Sequence, residues 1–294
     1  MIKTDSFTNL EKVSLATEIG LVAPTDTPLY SLILNLGQVD QATSPVVVWR
    51  EKTLDTTNDI SVPEGANPVF YQSNRAEISN YCEIFLKGVE VSGSASASSI
   101  AGIPDLMASE VADRLAEMKV NIEKALINGV KNDGSQTPYI RRMGGLISFV
   151  PEGNKVTGAN LDEANFKATV KKLWENGLGI NEYVALVNAD LKEAIDAIYD
   201  AKYQYIAPMQ DNYFGLVVRR VQTNYGNVNI ILNRHMPVDK MVVFDPAYLR
   251  IANLREPVFE PLAKTGDSVK GQVVAELTLK VLSPKAIAMF ELTV

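Results

Sequence analysis

The amino-acid sequence predicts an α+β protein organised around one long helix. Three observations support this fold class: an apolar helical stripe over residues 103–128, a middle region in which helix and strand patterns alternate, and a final segment of alternating apolar and polar residues. Of the 294 residues, 46% are hydrophobic and 21% are charged, which suffices for a sizeable core. Because the sequence shows no signal-peptide pattern and no apolar run of membrane-spanning length, we expect neither secretion nor a membrane span.

The long helix is predicted over residues 103–128. Pro104 suits its first turn, Asp105 suits its positive end, and Asn128 with Gly129 provides a stop. At about 1.5 Å per residue, such a helix is roughly 37 Å long and can serve as the axis of an elongated subunit. The apolar residues recur at steps of mostly three and four: Ile103, Leu106, Met107, Val111, Leu115, Met118, Ile122, Ala125 and Leu126.

The first ninety or so residues predict an arm followed by an extended ribbon. Residues 1–45 carry too little apolar surface to offset their own ordering, so we expect the arm to lie against something else. Two strand-like stretches, 46–54 and 69–93, flank a polar loop at 55–68 and predict a two-stranded ribbon. An isolated ribbon is marginal in water, and this loop is long for a hairpin, so we expect a neighbouring chain to support its tip.

The one cysteine, Cys82, cannot form an internal disulfide. In the surrounding alternating stretch, the residues that share its strand face are Ile78, Ile84 and Leu86. This pattern predicts a buried, unreactive thiol and fits a reducing compartment.

After a small, polar hinge at 92–99 and the long helix, residues 155–262 predict an α+β domain. A helix starting near Asn160 has an apolar face that includes Phe166 and Trp174, strands are expected at 183–187 and 241–244, and 224–227 predicts a hairpin turn. The last segment places one set of residues on one face: Val273, Ala275, Leu277, Leu279 and Val281. We expect this terminal sheet, with residues 286–290, to pack on the long helix, which makes the α+β domain an insertion.

Motifs that carry catalysis or bind cofactors are absent from the sequence. It contains no G-x-S-x-G, H-E-x-x-H, C-x-x-C or Walker pattern, so we predict no enzyme, no cofactor and no metal site. His235 is the only histidine, and its loop position favours a surface role over that of a catalytic base. Asp113 and Glu117 lie one helical turn apart, which favours a solvated face or a cationic neighbour over a catalytic dyad.

The net charge of −7 argues against a surface that binds nucleic acid broadly. Three basic doublets occur nonetheless, at 141–142, 171–172 and 219–220. We interpret the arginine doublets as separate surface ion pairs, because adjacent residues on a strand point to opposite faces.

The order of arm, ribbon, hinge, long helix, inserted domain and returning sheet resembles the major capsid proteins of tailed bacteriophages, which share the Hong Kong ninety-seven type fold. The resemblance covers essentially the whole chain. The stretches similar to that family are Asp26 to Leu29, Val48 to Leu54, Val91 to Ser94, Asp113 to Leu115, Asn121 to Gly129, Lys264 to Lys270, Val274 to Leu279 and Pro284 to Ala286.

The resemblance implies a division of the chain and a function. Residues 1–45 would be the N-terminal arm, 46–95 the extension loop, 96–150 with 263–294 the peripheral domain, and 151–262 the axial domain. The implied function is a structural subunit that self-assembles into hexamers and pentamers of an icosahedral or prolate head enclosing double-stranded DNA. Implied partners are further copies of the chain, weakly and non-specifically bound DNA, and scaffold, portal and decoration proteins. Its location would be the virion, after assembly in the host cytoplasm.

Two sets of residues are candidates for these contacts. Some family members crosslink a loop lysine to a neighbouring asparagine, but no asparagine and glutamate can be matched as partners for Lys52, so we do not extend that reaction to this chain. The expected intersubunit contacts are Trp49, Arg50, Lys52, Phe70, Tyr71, Arg75, Glu110, Arg114 and Glu117. The candidate DNA-facing residues are Arg141, Arg142, Lys171 and Lys172.

Three alternatives remain open from the sequence. An encapsulin-type compartment has the same fold and a protein cargo, whereas a virion decoration or tail-tube protein would form rings or tubes or bind a preformed shell. An intracellular hydrolase would use a serine or aspartate with His235.

Overall fold

The computed structural model describes residues 25–54, 59–70, 73–97, 105–203, 219–264 and 266–293. The helices are α1 (Pro28–Asn35), α2 (Gly93–Ala97), α3 (Leu106–Asn128), α4 (Glu163–Glu175) and α5 (Ala189–Tyr203). The strands are β1 (Val39–Gln41), β2 (Val46–Thr53), β3 (Asn74–Tyr81), β4 (Glu83–Ser92), β5 (Lys155–Gly158), β6 (Asn181–Val187), β7 (Arg220–Thr223), β8 (Gly226–Leu232), β9 (Lys240–Phe244), β10 (Leu249–Pro261), β11 (Ser268–Val281) and β12 (Ile287–Leu292). The expected α+β architecture is therefore confirmed.

Helix α3 confirms the predicted long helix from residue 106 onward. The Asp105 carboxylate caps its first turn by accepting a hydrogen bond from the Ala108 N–H at 3.1 Å. Residues 103 and 104 lie outside the described part of the chain. None of the described helices combines the length and hydropathy that a membrane span requires.

A four-stranded sheet in the order β1-β10-β11-β4 packs on α3. Strands β10, β11 and β4 are antiparallel, and short β1 adds in parallel to β10. The predicted face of β11, from Val273 to Val281, lies in the same core as Ile122 and Leu126 of α3. The expectation that β11 supports the apolar stripe of the helix is thus confirmed.

The last strand does not follow β11 into that sheet. A turn of 3₁₀ helix at Pro284–Ala286 redirects the chain, and β12 joins a six-stranded sheet in the order β5-β12-β9-β6-β8-β7. Our expectation of one terminal sheet containing residues 286–290 was therefore wrong. The physical reason is that β12 pairs antiparallel with β9 and parallel with β5, which satisfies its backbone on both edges.

Both faces of the six-stranded sheet are buried. Alternate residues of one strand, such as Val242 and Phe244 in β9, belong to the core that contains α3. Their neighbours Met241 and Val243 belong to a second core beneath α4 and α5. A strand covered on both faces is continuously apolar, which explains why 183–187 and 241–244 were recognised as strands but not assigned to a face.

Within this part of the chain, the helix before β6 and the hairpin were predicted at the right places with local errors. Asp162, and not Asn160, caps α4, since its carboxylate accepts from the Asn165 N–H at 2.7 Å. Trp174 is 51% exposed and contacts Tyr225 at a tilted angle with ring centroids 5.9 Å apart, so it does not belong to the buried helix face. The hairpin joins β7 and β8, and Gly226 has a φ of +145°, which only glycine adopts readily.

The ribbon is confirmed, but its second strand is shorter than expected. Strands β2 and β3 pair antiparallel, from the pair Val46 and Tyr81 to the pair Thr53 and Asn74. The strand conformation is then interrupted at Cys82, and β4 continues into the four-stranded sheet. Cys82 is buried beside Ala42 and Ala252, and burial, followed by the charge of Glu276, raises the pKa of its thiol to about 11. The expected inert thiol fits this site.

The other residues on the Cys82 face do not share its burial. Ile84 and Leu86 are exposed, whereas Phe85 packs against the core that contains α3. The reason is that β4 packs on the helix through its odd-numbered residues.

Candidate subunit contact surfaces

The base of the ribbon is fastened to its own subunit. Trp49 is only 8% exposed, packs on Phe149 at 6.2 Å between ring centroids, and donates its Nε1–H to the Val281 carbonyl oxygen at 2.7 Å. Asn80 is fully buried; its amide donates to the carbonyl oxygens of Leu279 at 2.8 Å and Gly144 at 3.0 Å, and accepts from the Gly144 N–H at 2.7 Å. Trp49, an expected intersubunit contact, is therefore already used within the subunit.

The ribbon tip, residues 59–70, contributes nothing to the core of its own subunit. Every residue in this segment is exposed. Phe70 is 91% exposed and Ile60 is 77% exposed, and the side chains of Val62 and Val69 are also exposed. Large apolar groups concentrated on a projecting segment mark a contact surface. Of the expected contact residues here, Phe70 has the exposure required and Tyr71 lies outside the described residues.

The remaining expected contacts on the ribbon are cationic. Arg50, Lys52 and Arg75 are exposed. Lys52 and Arg75 lie directly opposite each other in the β2–β3 pairing. Two like charges facing each other across a strand pair repel, so an anionic surface brought against this end of the ribbon would stabilise it.

Three expected contacts on α3 come together in one half-buried charge network. Arg114 binds Glu110 at 3.1 Å and also binds Glu117. Lys87 of β4 binds Glu117 at 2.8 Å, and the sequence analysis missed this residue because it lies on another element. The hydrogen bond from Lys87 and then that from Arg114 hold the pKa of Glu117 below its usual value. Of the acidic pair, Glu117 therefore has cationic neighbours, while Asp113 is exposed.

A groove of about 520 Å³ lies between α3 and β4. Its lining includes Phe85, Met118 and Ala125 together with Glu83, Lys124 and Arg142. Lys124 and Arg142 are exposed, so the groove combines an apolar wall with positive charge.

The described part of the arm lies against its own subunit. Helix α1 buries Leu29, Tyr30 and Ile33 in the core shared with α3. The buried carboxylate of Glu123 accepts the backbone N–H groups of Leu29 at 2.9 Å and Tyr30 at 2.7 Å, and the Asn233 amide at 2.6 Å. Burial raises the pKa of Glu123 more than these three hydrogen bonds lower it. Arm, long helix and the loop after β8 therefore meet at one buried side chain.

His235, the candidate catalytic base, sits in that loop in a structural setting. Its backbone N–H donates to Asn233 Oδ1 at 2.9 Å, and its backbone carbonyl oxygen accepts from the side-chain amide of Asn128 at 2.7 Å. Its Nε2 is buried and has no hydrogen-bond partner among the described residues, so no serine or carboxylate from that part of the chain is positioned there for proton transfer.

We expect His235 to titrate below its ordinary pKa of 6.5, because burial and then the charge of Lys124 lower it. Because the pKa of His235 is lower in the folded state than in the unfolded chain, protonation favours unfolding. The resulting contribution to the free energy of unfolding is fully present above about pH 6.5 and is lost as the pH falls through the folded-state pKa. NMR titration of the ring measures the pKa without ambiguity, since the chain has one histidine. His235→Gln should lack this component of acid-induced destabilisation, and a folded-state pKa of 6.5 or higher in the native protein would contradict the expectation.

Within the described part of the chain, one residue of each arginine doublet forms an ion pair, whereas two separate surface ion pairs were expected for each. Arg141 binds the largely buried Glu276 at 2.8 Å, and Arg220 binds Glu182. Lys171 and Lys172 both bind Glu175, at 3.3 and 3.4 Å. Of the four candidate DNA-facing residues, Arg142 is exposed on the loop after α3, and the two lysines lie on α4.

No cluster of three or more potential metal-ligating side chains occurs within the described ranges. The charged residues found together at the surface instead form salt bridges, both within helices and between elements. The candidate functional features are therefore two contact surfaces, the ribbon tip and the groove between α3 and β4.

Comparison with known proteins agrees with this description. The family model described as SU10 major capsid protein matches residues 2–293. No curated protein sequence matches the chain. The capsid protein of a native GTA particle is 14% identical, with a TM-score of 0.71, over 99% of this chain and 98% of that one. The capsid protein of cyanophage A-1(L) is 13% identical, with a TM-score of 0.68, over 98% of both chains. The holo-SrpI encapsulin of Synechococcus elongatus is 13% identical, with a TM-score of 0.64, over 97% of this chain and 94% of that one.

Proposed function

This chain belongs to the SU10 major capsid protein family and is a structural shell protein of the virion, and from this premise we propose that it forms the hexamers and pentamers of an icosahedral or prolate head around double-stranded DNA. The observation that carries the proposal is the fully exposed ribbon tip at the end of a ribbon whose base is fastened to the subunit. Such a segment gains stability only when another surface covers its apolar side chains.

We propose that the covering surface belongs to a second copy of the chain. The groove between α3 and β4 fits this role, because Phe85 and Ala125 in its lining are only partly buried within the subunit and can cover apolar side chains of the tip. Its cations, Lys124 and Arg142, complement the carboxylates of the tip, Asp59 and Glu64. Each such contact contributes little alone, but the contact repeats at every subunit of a closed shell.

The proposed division of the subunit follows the two sheets except at β10 and β12, since β10 lies in the four-stranded sheet and β12 in the six-stranded sheet. We propose residues 1–45 as the arm, 46–95 as the extension loop, 96–150 with 263–294 as the peripheral domain, and 151–262 as the axial domain that meets around a capsomer axis. Strand β12 completes the sheet of the axial region although its residues follow β11 in the chain.

The proposed contact with DNA is weak and non-specific. A net charge of −7 and basic side chains engaged in ion pairs favour a shell that does not hold its packaged genome tightly. Scaffold, portal and decoration proteins are further proposed partners, and the host cytoplasm is the proposed place of assembly. From the structural role of the family, we infer that the chain has no catalytic activity. The hydrolase alternative would be supported by an enzymatic turnover that is lost in His235→Ala.

Sedimentation and negative-stain imaging of the expressed protein, with and without the neighbouring genes, test this proposal. We expect closed shells or flat capsomers, with DNA inside particles from a productive infection. Protein cargo in particles that lack DNA would favour the encapsulin alternative, and rings or tubes would favour a tail or decoration role. A compact 32.2 kDa monomer under all conditions would contradict the proposal.

A further inference from the structure

The turn between β11 and β12, residues 282–286, contacts the ribbon through two side chains, and we call it the linking turn. Ser283 Oγ donates to Glu51 Oε1 at 2.6 Å, and Lys285 Nζ donates to Thr53 Oγ1 at 3.4 Å. Glu51 and Thr53 lie at the outer end of β2, beyond Trp49. These contacts therefore hold the ribbon near the point where its tip begins.

The same turn is bound on its other side to the axial region. Asn176, the residue that ends α4, donates its amide to the Lys285 carbonyl oxygen at 3.0 Å and to Asn154 Oδ1 at 2.9 Å. Asn154 in turn donates to the Ile287 carbonyl oxygen at 2.7 Å. The turn thus connects the ribbon to α4 and to the start of β12 through hydrogen bonds only a few residues apart.

The direction of the ribbon depends on such side-chain contacts. Strands β2 and β3 form a separate two-stranded sheet, and no strand ladder joins them to either larger sheet. A ribbon that pivots at its base amplifies small rotations: a change of about 10° displaces a point roughly 30 Å away by about 5 Å, given a rise of about 3.3 Å per residue. Contacts at Glu51 and Thr53 oppose such a rotation more effectively than contacts nearer the base.

We propose that the linking turn couples the direction of the ribbon to the position of α4 and the axial sheet, with Glu51 and Ser283 as positioning residues. The angle at which the tip meets a second copy sets the angle between subunits, and hence the curvature of the shell. This inference rests on the proposed assembly function, and it assigns control of particle size to a contact inside the subunit.

The test compares four variants. Glu51→Ala and Ser283→Ala each remove the contact, whereas Glu51→Gln keeps an oxygen that accepts the Ser283 hydroxyl. Glu77→Ala is the matched control, because Glu77 is an exposed carboxylate on the partner strand β3 of the same ribbon. Particle diameters are measured by cryo-electron microscopy, together with the thermal stability of the subunits.

We expect Glu51→Ala and Ser283→Ala to shift or broaden the distribution of particle diameters, while Glu51→Gln and Glu77→Ala keep the native diameter. In the unassembled subunit, hydrogen-exchange protection near Glu51 should fall by about tenfold in Ser283→Ala with the exchange of α3 unchanged. Native diameters for both alanine variants, or a diameter change equally large in Glu77→Ala, would overturn the inference while leaving the shell function intact. A wild-type chain that forms no shell contradicts the assembly proposal instead, and the exchange measurement then still decides whether Ser283 restrains the ribbon.

Discussion

Deleting residues 55–67 should leave a folded subunit that no longer closes shells. The described residues of this segment are all exposed, so their removal takes no side chain out of either core. The pairing of β2 with β3 from Val46 to Thr53 remains, and a shorter connecting loop lowers the entropy cost of closing the ribbon. We expect the midpoint of thermal unfolding to change by only about 2–3 °C, which corresponds to about 1–2 kcal/mol for a chain of this size.

The loss of assembly should be close to complete, because every subunit in a closed shell loses the same contact. Sedimentation and negative stain provide the measurement, and a milder double variant, Ile60→Ser with Phe70→Ser, should reproduce the defect without shortening the chain. Ser61→Ala, an exposed change between the apolar tip positions, is the matched control and should assemble normally. Particles of normal size from the deletion variant would show that the tip does not dock on a neighbour.

Replacing Asn80 by alanine should destabilise the subunit by about 3 kcal/mol, since several buried backbone groups lose their partner and each costs about 1–3 kcal/mol when unpaired. The groups concerned are the carbonyl oxygens of Leu279 and Gly144 and the Gly144 N–H. Because Asn80 joins β3 to β11, we also expect faster hydrogen exchange along β3. Denaturant unfolding measures the free energy.

A matched substitution separates this effect from the loss of any asparagine. Asn121→Ala on the exposed side of α3 removes a hydrogen bond to the Glu117 carbonyl oxygen, and a surface change of this kind shifts the free energy of unfolding by about 0.5 kcal/mol or less. Asn80→Asp, which places a carboxylate oxygen against two carbonyl oxygens, should destabilise at least as much as alanine does. Equal unfolding free energies for Asn80→Ala and Asn121→Ala would refute the role assigned to Asn80.

Elements with their own periodicity were predictable. The stripe from Leu106 to Leu126 repeats every three or four residues because one side of α3 faces the core, partly buried at Val111 and Leu115 and more deeply buried from Met118 onward. The alternation from Val273 to Val281 follows from a strand with one face against that helix. The hairpin before Gly226 was recognised from its turn residues, and the ribbon from its two extended stretches.

Residues that act through distant partners were not predictable in this way. Trp49 looked like a surface contact because nothing nearby in the chain indicates Val281, which is 232 residues away. The carboxylate of Glu83 accepts the N–H of Met143, 60 residues away, at 3.2 Å, and burial raises the pKa of Glu83. A local pattern of apolar and polar residues records whether a position is buried on its own element and says little about which element covers it.

The sequence by itself determined the kind of protein and the succession of its parts: arm, ribbon, long helix, inserted α+β region and returning strand. These follow from short-range periodicity and from a resemblance spread over the whole chain. Only the tertiary structure decided that β12 leaves the sheet of β11, that Glu123 joins the arm to the loop carrying Asn233, and that the linking turn reaches Glu51. The physical reason is that these contacts join residues far apart in the chain, 93 positions for Tyr30 with Glu123 and 232 positions for Ser283 with Glu51, and a hydrogen bond across such a separation imposes no repeat on the residues around it.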